Sequence, residues 1–520
     1  MSNGSLDLMR GSARGSLVLM VGQVVTTLIS AVTVIWMARF LGSTAYGQFT
    51  IALFPVSFAL LFQDLGMNAS LTRFCAKYRY EGRSDELRSV VVTGLIFSIA
   101  TSLVISGLMF LFAGPIASLY LKRPEIEPLV KAAALSVLGA GGLLTTIQAI
   151  FVGYEMMGLS IFTQIFWSVM RTLFSAVLLF IGLGAFGAML AYTASQTVAG
   201  LFGLLLLFVF IKFEAGSRGF DWGMLRTFLG YGLPLSMSAF LGGILNQIYN
   251  YAMVLYIATD LIGNYGAAIN FGVLVSFLTV PISTALFPLY SKFKRDDTRL
   301  RMIFQMSVKY TAMVTLPVVL VIIVLASPLS RLLYGATDYP YVPLYLSIFI
   351  LNYAWEGLGG SSLSNLISGV GESRTNLMSS IFTFLAGISL VLVLVPRYGM
   401  VGLLFTIVLA NRGLWIYQSF WVKKKLGITV NWGSTAKIYA TAFAAFAAAY
   451  FVVNFSRLNG WVVLVSGGLT YFMVYLVGLP LSGALRREDL AQLGSIVEAL
   501  GPLGVAAKPI LSLIDRLTRN

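Results

Sequence analysis

The sequence predicts an all-α polytopic membrane protein. About 14 transmembrane helices are expected, as two pseudo-symmetric six-helix lobes plus two extra C-terminal helices. Three observations carry this reading. Of the 520 residues, 58% are hydrophobic and only 11% are charged, and the mean hydropathy is +0.87. Soluble domains run at about 25% charged, so this much apolar side chain needs lipid as its main solvent. The apolar runs are continuous over twenty or more residues, whereas a membrane β-barrel alternates apolar and polar positions. The third observation is a weak internal repeat.

About 20 apolar residues at a rise of ~1.5 Å cross the hydrocarbon core. In chain order the spans fall near 15–39, 44–64, 88–112, 128–152, 159–182 and 185–211. A second set lies near 227–257, 261–289, 302–327, 342–368, 374–396 and 398–421, and two more near 435–455 and 459–481. The first apolar segment is too long for the core of a signal peptide, and no small-residue cleavage site closes it. It is therefore expected to be a span.

Basic residues orient the chain. With the N-terminus inside, most of the 35 Lys and Arg fall on the inner side. They include those of "RFCAKYRYEGR" (Arg73 to Arg83), "KFKRDDTRLR" (Lys292 to Arg301) and "KKK" (Lys423 to Lys425). An even number of spans puts both termini in the cytoplasm of a multi-pass cell-membrane protein. The net charge of +15 then reports cytoplasmic loops rather than a nucleic-acid partner. Histidine is absent and Cys75 is the only cysteine. The usual general base, the usual metal ligands and any internal disulfide are thereby removed. No cofactor is expected.

The repeat rests on three matches. "FLGSTAYGQFTIA" (Phe40 to Ala52) resembles "ATDLIGNYGAAIN" (Ala258 to Asn270), Gly153 recurs as Gly369, and "FGAMLAY" from Phe186 resembles "VGLLFTI" from Val401. Their offsets are 219, 216 and 215 residues. Six spans separate equivalents, so the lobes share one membrane orientation. The expected lobes are 1–212 and 227–425, with 213–226 as a polar, glycine-rich cytoplasmic linker. Spans thirteen and fourteen (426–482) lie outside the repeat. Beyond them 483–520 forms an amphipathic cytoplasmic tail, with Leu490, Leu493, Val497 and Leu500 on one helical stripe, suited to the inner leaflet.

Against this apolar background a few polar residues stand out. In "FWSVMRTLFSAVLLF" (Phe166 to Phe180), Arg171 is near the centre of span five. A charge there costs roughly 2.5–3.5 kcal/mol on insertion scales. Gln164, Ser168, Arg171 and Ser175 share one helical face, which suggests a water-filled cavity; a cation paired with a buried carboxylate is the structural alternative. Glu356 in span ten, one turn after Asn352, is one of few deep carboxylates. It either neutralises Arg171 or Arg412, or holds a coupling proton or sodium ion. Arg412 is deep in span twelve. Lys309 in span nine, one turn after Gln305, lies nearer the cytoplasmic end and could snorkel. Span one carries Gln23, Thr26, Ser30 and Thr33 on one face, and span seven carries Ser236, Asn246 or Gln247, and Asn250. Matching stripes in equivalent helices point to a shared central cavity, although polar stripes also serve helix–helix hydrogen bonding. Pro55, Pro234, Pro281 and Pro317 interrupt spans and could supply bends.

No catalytic constellation and no phosphate-cradling glycine loop occurs, so an enzyme is not expected. "ARFLGSTAYGQFTIA", "FVGYEMMGLSIF" and "YGMVGLLFTIVLAN" resemble motifs of the polysaccharide transporters of the MOP exporter superfamily, the O-antigen flippase type. The resemblance implies a monomer that moves a lipid-linked oligosaccharide, on a polyprenyl phosphate or diphosphate carrier, from the inner to the outer leaflet. It implies rocking of two six-helix lobes under a cation gradient. An anionic head group would then meet Arg171, Arg412 and Lys309, with Gln164, Ser168, Gln23, Asn246 and Asn250 lining the cavity. Two alternatives are a MATE-like exporter of small molecules, whose cationic cargo calls for an acidic cavity, and a membrane-embedded glycan-assembly enzyme.

Orientation is testable. In a Cys75-free variant, single cysteines placed between Arg73 and Arg88 or between Lys292 and Arg301 should resist an impermeant thiol reagent applied to intact cells. Ready labelling of either segment would overturn the fourteen-span topology.

Overall fold

A computed structural model of the chain describes residues 3–211, 219–293, 298–335, 337–455, 460–485 and 489. The first part of the expected linker, 213–218, and the tail stripe from Leu490 lie outside the described residues. Sixteen helices carry the architecture, and no strand occurs among the described residues. They are α1 (Asn3–Asp64), α2 (Met67–Tyr80), α3 (Ser84–Leu111), α4 (Glu127–Val137), α5 (Thr146–Gly153), α6 (Met157–Phe180), α7 (Gly184–Phe210) and α8 (Trp222–Tyr256). There follow α9 (Thr259–Ile269), α10 (Gly272–Tyr290), α11 (Thr298–Tyr334), α12 (Val342–Ile350), α13 (Gly360–Gly369), α14 (Ser373–Leu426), α15 (Trp432–Phe455) and α16 (Trp461–Leu481).

Nine helices among the described residues are long and apolar enough to cross a membrane, or ten if the bent pair Trp222–Pro234 and Ala239–Tyr256 is one span. That pair turns by 65° after Pro234, which lacks the N–H that would continue the ladder. Two of the nine are double. α1 breaks at Gly42 (φ 73, ψ 168) and α14 at Gly399 (φ 55, ψ −131). Positive φ is cheap only for glycine, so one residue joins two spans without a loop. The expected spans eight and ten arrive in shorter pieces. Span ten is α12, a 3₁₀ segment Leu351–Leu358, and α13, with Gly359 (φ 96) at the break.

The surface inverts the soluble pattern. Leu111, Phe180, Phe208, Leu392, Phe455 and Leu481 are exposed, whereas Thr93, Ser98, Ser102, Thr163 and Ser195 are buried. Small hydroxyl residues inside and large apolar ones outside suit helices that associate by packing in lipid.

The described residues gather into two compact units. The first combines Met1–Asn270 with Gly387–Leu403, and the second combines Phe271–Ala386 with Leu404–Asn520. The first unit takes in α8 and α9, which the repeat assigns to the second half. The two repeated motifs found in the sequence meet inside it. A Cβ on Gly47 of α1 would strike the Thr259 carbonyl oxygen of α9, and one on Gly263 would strike the Ser43 carbonyl oxygen. Asn270 Nδ2 donates to Tyr46 Oη at 3.1 Å. Glycine at these two places lets the backbones touch.

Each unit holds its own copy of one core. In the first, Phe74 and Cys75 of α2 pack with Ile147, Ile150 and Phe151 of α5. In the second, Tyr290 packs with Leu363, Leu366 and Ile367 of α13. Each of these second-unit residues lies 216 positions after a first-unit one, the offset of Gly153 and Gly369. The glycines follow the same rule. A Cβ on Gly153 would come to 2.6 Å of Cys75 Cβ, and one on Gly369 would meet Tyr290 and the Ser291 backbone nitrogen. Both copies also leave α geometry at the same place. Leu138–Thr145 is a π-helix rich in glycine, and shifted by 216 residues it falls on 354–361, across the 3₁₀ segment and Gly359.

Candidate functional site

The sequence-predicted residues fall into separate clusters, described unit by unit. In the first unit, Arg171 projects from α6 and is half-buried. Its guanidinium carbon lies 5.2 Å from the centre of the Tyr192 ring of α7, and Tyr46 of α1 is within electrostatic range. No carboxylate pairs with it among the described residues. A cation over an aromatic face is stabilised by the ring quadrupole, but that leaves its hydrogen-bond donors for another partner.

The rest of the stripe divides. Ser168 is buried, shares a hydrogen bond with Ser30 Oγ at 2.9 Å and donates to the Thr26 carbonyl at 3.3 Å. Thr172 and Thr33 hydroxyls are 2.6 Å apart. Ser175 is buried as well, and its Oγ has no partner among the described residues. The polar faces of α1 and α6 thus hold each other, which is hydroxyl-mediated helix packing rather than a wetted wall at Ser168. Gln164 is half-buried and Gln23 is exposed.

On α8, Asn246 is exposed while Gln247 and Asn250 are buried. With its amide oriented to suit its neighbours, Gln247 donates to the Phe54 carbonyl at 3.3 Å and accepts from Phe58 N–H at 3.0 Å. Those two groups are an i, i+4 pair of α1 beside Pro55. The side-chain amide therefore bridges the backbone where proline disturbs the helix. Asn250 lies 3.3 Å from the same amide.

The second unit brings three predicted residues together on the 3₁₀ segment. Arg412 Nη2 donates to the Asn352 carbonyl at 3.3 Å and to Asn352 Oδ1 at 3.4 Å. Its guanidinium lies 4.2 Å from the centre of the Trp355 ring. Asn411 Nδ2 also donates to Asn352 Oδ1, at 3.0 Å. Glu356 is within electrostatic range of Arg412 without a direct ion pair. Its Oε2 accepts from Ser361 N–H at 2.8 Å, where a carboxylate suits the first turn of α13. Its Oε1 has no hydrogen-bond partner among the described residues. Of the two cations that the sequence offered as partners for Glu356, Arg412 is the one within its electrostatic range.

The segment leaves α geometry, so its carbonyls need other donors. Asn352 finds Arg412. Ala354 accepts from Tyr439 Oη of α15 at 2.5 Å, and Leu358 accepts from Trp415 Nε1 at 3.0 Å. Trp355 and Trp415 meet at 5.4 Å between ring centres. One donor stays unmatched: Arg412 Nε is buried with no partner among the described residues. A buried charged donor without an acceptor is costly, so an anion there would be welcome.

Lys309 stands elsewhere. It pairs with Asp489 at 2.5 Å, and Tyr310 Oη reaches the same carboxylate at 3.3 Å. The pair lines a polar pocket of about 350 Å³ with Gln305, Asn431 and Lys437. The sequence suggested snorkelling or cargo binding and gave no sign of this partner, 180 residues away. Tyr192, Trp355, Trp415 and Tyr439 were also missed. Aromatic residues are abundant in this chain, and no spacing singles them out.

These features define a class: a polytopic helical membrane protein whose interior holds cations without a full set of partners. Residues 12–294, more than half of the chain, match the polysaccharide biosynthesis protein family, and the chain belongs to that family. The resemblance read from the sequence is thereby borne out. Stage V sporulation protein B of Bacillus subtilis is 22% identical, the match covering 92% of this chain and 97% of that protein. Among solved structures, the lipid II flippase MurJ in an inward closed conformation has a TM-score of 0.74 at 15% identity, covering 89% of this chain and 98% of that one. An inward-facing multidrug resistance MATE family transporter of the MOP superfamily has a TM-score of 0.65 at 18% identity, covering 77% and 94%. The fold is thus shared by flippases and drug exporters.

The Arg412 cluster makes a stability prediction. Arg412→Met keeps most of the length and the stacking on Trp355 but removes the charge. The relieved desolvation of the charge is expected to offset the loss of the long 3.3 Å bond to the Asn352 carbonyl, since Asn352 Oδ1 keeps Asn411 as a donor. The melting temperature of the purified, cargo-free variant should stay level or rise. A fall of more than about 4 °C would make the cation a structural tie.

Proposed function

We propose that this protein is a flippase that moves a polyprenyl-(di)phosphate-linked oligosaccharide from the inner to the outer leaflet of the cell membrane. The observation that carries the reading is Arg412, a deep guanidinium with its Nε unmatched, stacked on Trp355 and lacking an ion pair. Arg171, also without a carboxylate, is a second cationic position. A planar guanidinium offers two parallel donors to a phosphate. The names of the relatives agree, since one is a lipid II flippase. A MATE-like exporter of cations is the alternative, but these two arginines would repel such a cargo.

The working lobes are 1–212 and 227–425, moving in alternating access with the linker at 213–226, while 426–482 and 483–520 are additions. Both termini are cytoplasmic and the working form is a monomer. Glu356 and Asn352 are the site for a coupling proton or sodium ion. The coupling needs no long pathway. With Glu356 ionised, its field partly satisfies Arg412; an ion on Oε1 cancels that field and frees the arginine for an anionic head group. At low dielectric such a change is worth far more than in water.

Purified protein in liposomes containing a fluorescent polyprenyl diphosphate oligosaccharide tests this. An imposed proton or sodium gradient should accelerate movement of the label to the leaflet reached by an impermeant quencher. Glu356→Gln should flip at a gradient-independent rate. Absence of any protein-dependent movement overturns the flippase reading, and undiminished gradient dependence in Glu356→Gln removes Glu356 from the coupling site.

A further inference from the structure

One dense polar tie in the first unit involves neither Arg171 nor any span interior. Arg123 sits between α3 and α4, in the segment that follows the π-helical turn Ile116–Tyr120. All of its bonds go to neutral oxygens. Nε donates to Thr259 Oγ1 at 2.8 Å, Nη2 to the Ile257 carbonyl at 2.9 Å, and Nη1 to the Val254 carbonyl at 3.2 Å and the Leu121 carbonyl at 3.1 Å. Three of these four acceptors belong to the junction of α8 and α9.

The junction is suited to receive a cation. Val254 and Ile257 carry the last carbonyls of α8, and Ile257 is already extended (φ −125, ψ 135). Such carbonyls lack helical partners and carry the negative end of the helix dipole. The residue before the arginine is held in an unusual conformation. Lys122 has φ 53, sparsely populated for a residue with a Cβ, and such strain persists only where the surroundings enforce it. Tyr120 stacks on Tyr251 of α8 at 5.3 Å with planes 10° apart. Thr259 itself borders the seam of α1 and α9, where Gly47 and Gly263 admit opposing backbones.

We infer that Arg123 is a latch that holds this end of the α1–α9 seam closed and releases once in each transport cycle. The inference rests on the alternating-access reading above. The first-half segment Ala113–Arg123 is tied to second-half helices by the Arg123 hydrogen bonds and the stacking of Tyr120 on Tyr251, so losing the guanidinium bonds loosens this end of the seam. The chemistry fits a reversible tie. No carboxylate forms an ion pair with Arg123 among the described residues, although Glu125 is within electrostatic range, and bonds to neutral carbonyls are weaker than a bidentate carboxylate pair. Opening exchanges them for bonds to water at modest net cost. A permanent structural clamp would be better served by an acidic partner.

Accessibility of a seam residue tests this without any cargo. In a Cys75→Ser background, Leu119→Cys is exposed and reports which face of the membrane bears this segment. Thr50→Cys lies in the seam, since a Cβ on Gly266 would stand 3.1 Å from Thr50 Oγ1. An impermeant thiol reagent is applied from the face that labels Leu119→Cys. Thr50→Cys should label slowly in the parent and roughly tenfold faster with Arg123→Ala, the effect of losing hydrogen bonds to a charged group. Thr259→Val removes one bond and leaves the cation, so it should give a smaller increase. The double variant should label no faster than Arg123→Ala alone, because both remove one interaction. Unchanged labelling with Arg123→Ala, or additive increases in the double variant, overturns the latch. If Arg123→Ala does not accumulate, an unchanged rate in Thr259→Val overturns it. A protein that flips no glycolipid in liposomes yet shows this dependence loses the flippase reading and keeps the latch.

Discussion

In a medium without water, every backbone group and every charge must find its partner inside the protein. The rest of this structure depends on that constraint. Regular helices meet it automatically, so the informative places are where helices fail. Beside Pro55 the Phe54 and Phe58 backbone groups are bridged by Gln247. In the 3₁₀ segment of span ten, carbonyls of Asn352, Ala354 and Leu358 are taken by Arg412, Tyr439 and Trp415. At the end of α8 the last carbonyls are taken by Arg123. In each case a polar side chain stands where an apolar one would otherwise be cheaper, and its first duty is to the backbone.

That duty explains which parts of the molecule the sequence disclosed. Spans follow from length and apolar runs, so they were legible. The repeat was legible too, and it proves more regular than the motifs suggested, since Phe74, Cys75, Ile147, Ile150, Phe151 and Gly153 all have counterparts at one offset. Arg171, Arg412 and Glu356 stood out in the sequence because a charge amid apolar residues is conspicuous. Their partners were not. Helical spacing put Ser168 and Arg171 on one stripe but could not say that Ser168 is spent on Ser30. Lys309 was legible as a cation nearer the cytoplasmic end, but nothing in the sequence pointed to Asp489, which pairs with it. Nor could spacing show that a glutamate one turn after an asparagine caps a new helix at Ser361. Pairings across 50 to 180 residues are set by packing, which a single sequence does not encode in any local pattern.

Two arginines remain that backbone duty does not exhaust. Arg171 has an aromatic face and no carboxylate, and Arg412 has two acceptors on Asn352 and a buried Nε with none. Each guanidinium carries more buried charge and more donors than its neighbours use. On the function proposed above, an anionic cargo would complete them. On the same proposal Glu356, within electrostatic range of Arg412, would make the cluster sensitive to a cation.

The central claim is that a phosphate head group is the missing partner. It is tested most directly by thermal melting of the purified protein with a polyprenyl diphosphate or with the matching uncharged polyprenol. The account predicts a rise in melting temperature with the diphosphate, little or none with the polyprenol, and loss of the difference in Arg412→Met. An equal response to both lipids, or a diphosphate response that survives Arg412→Met with Arg171→Met, would contradict it.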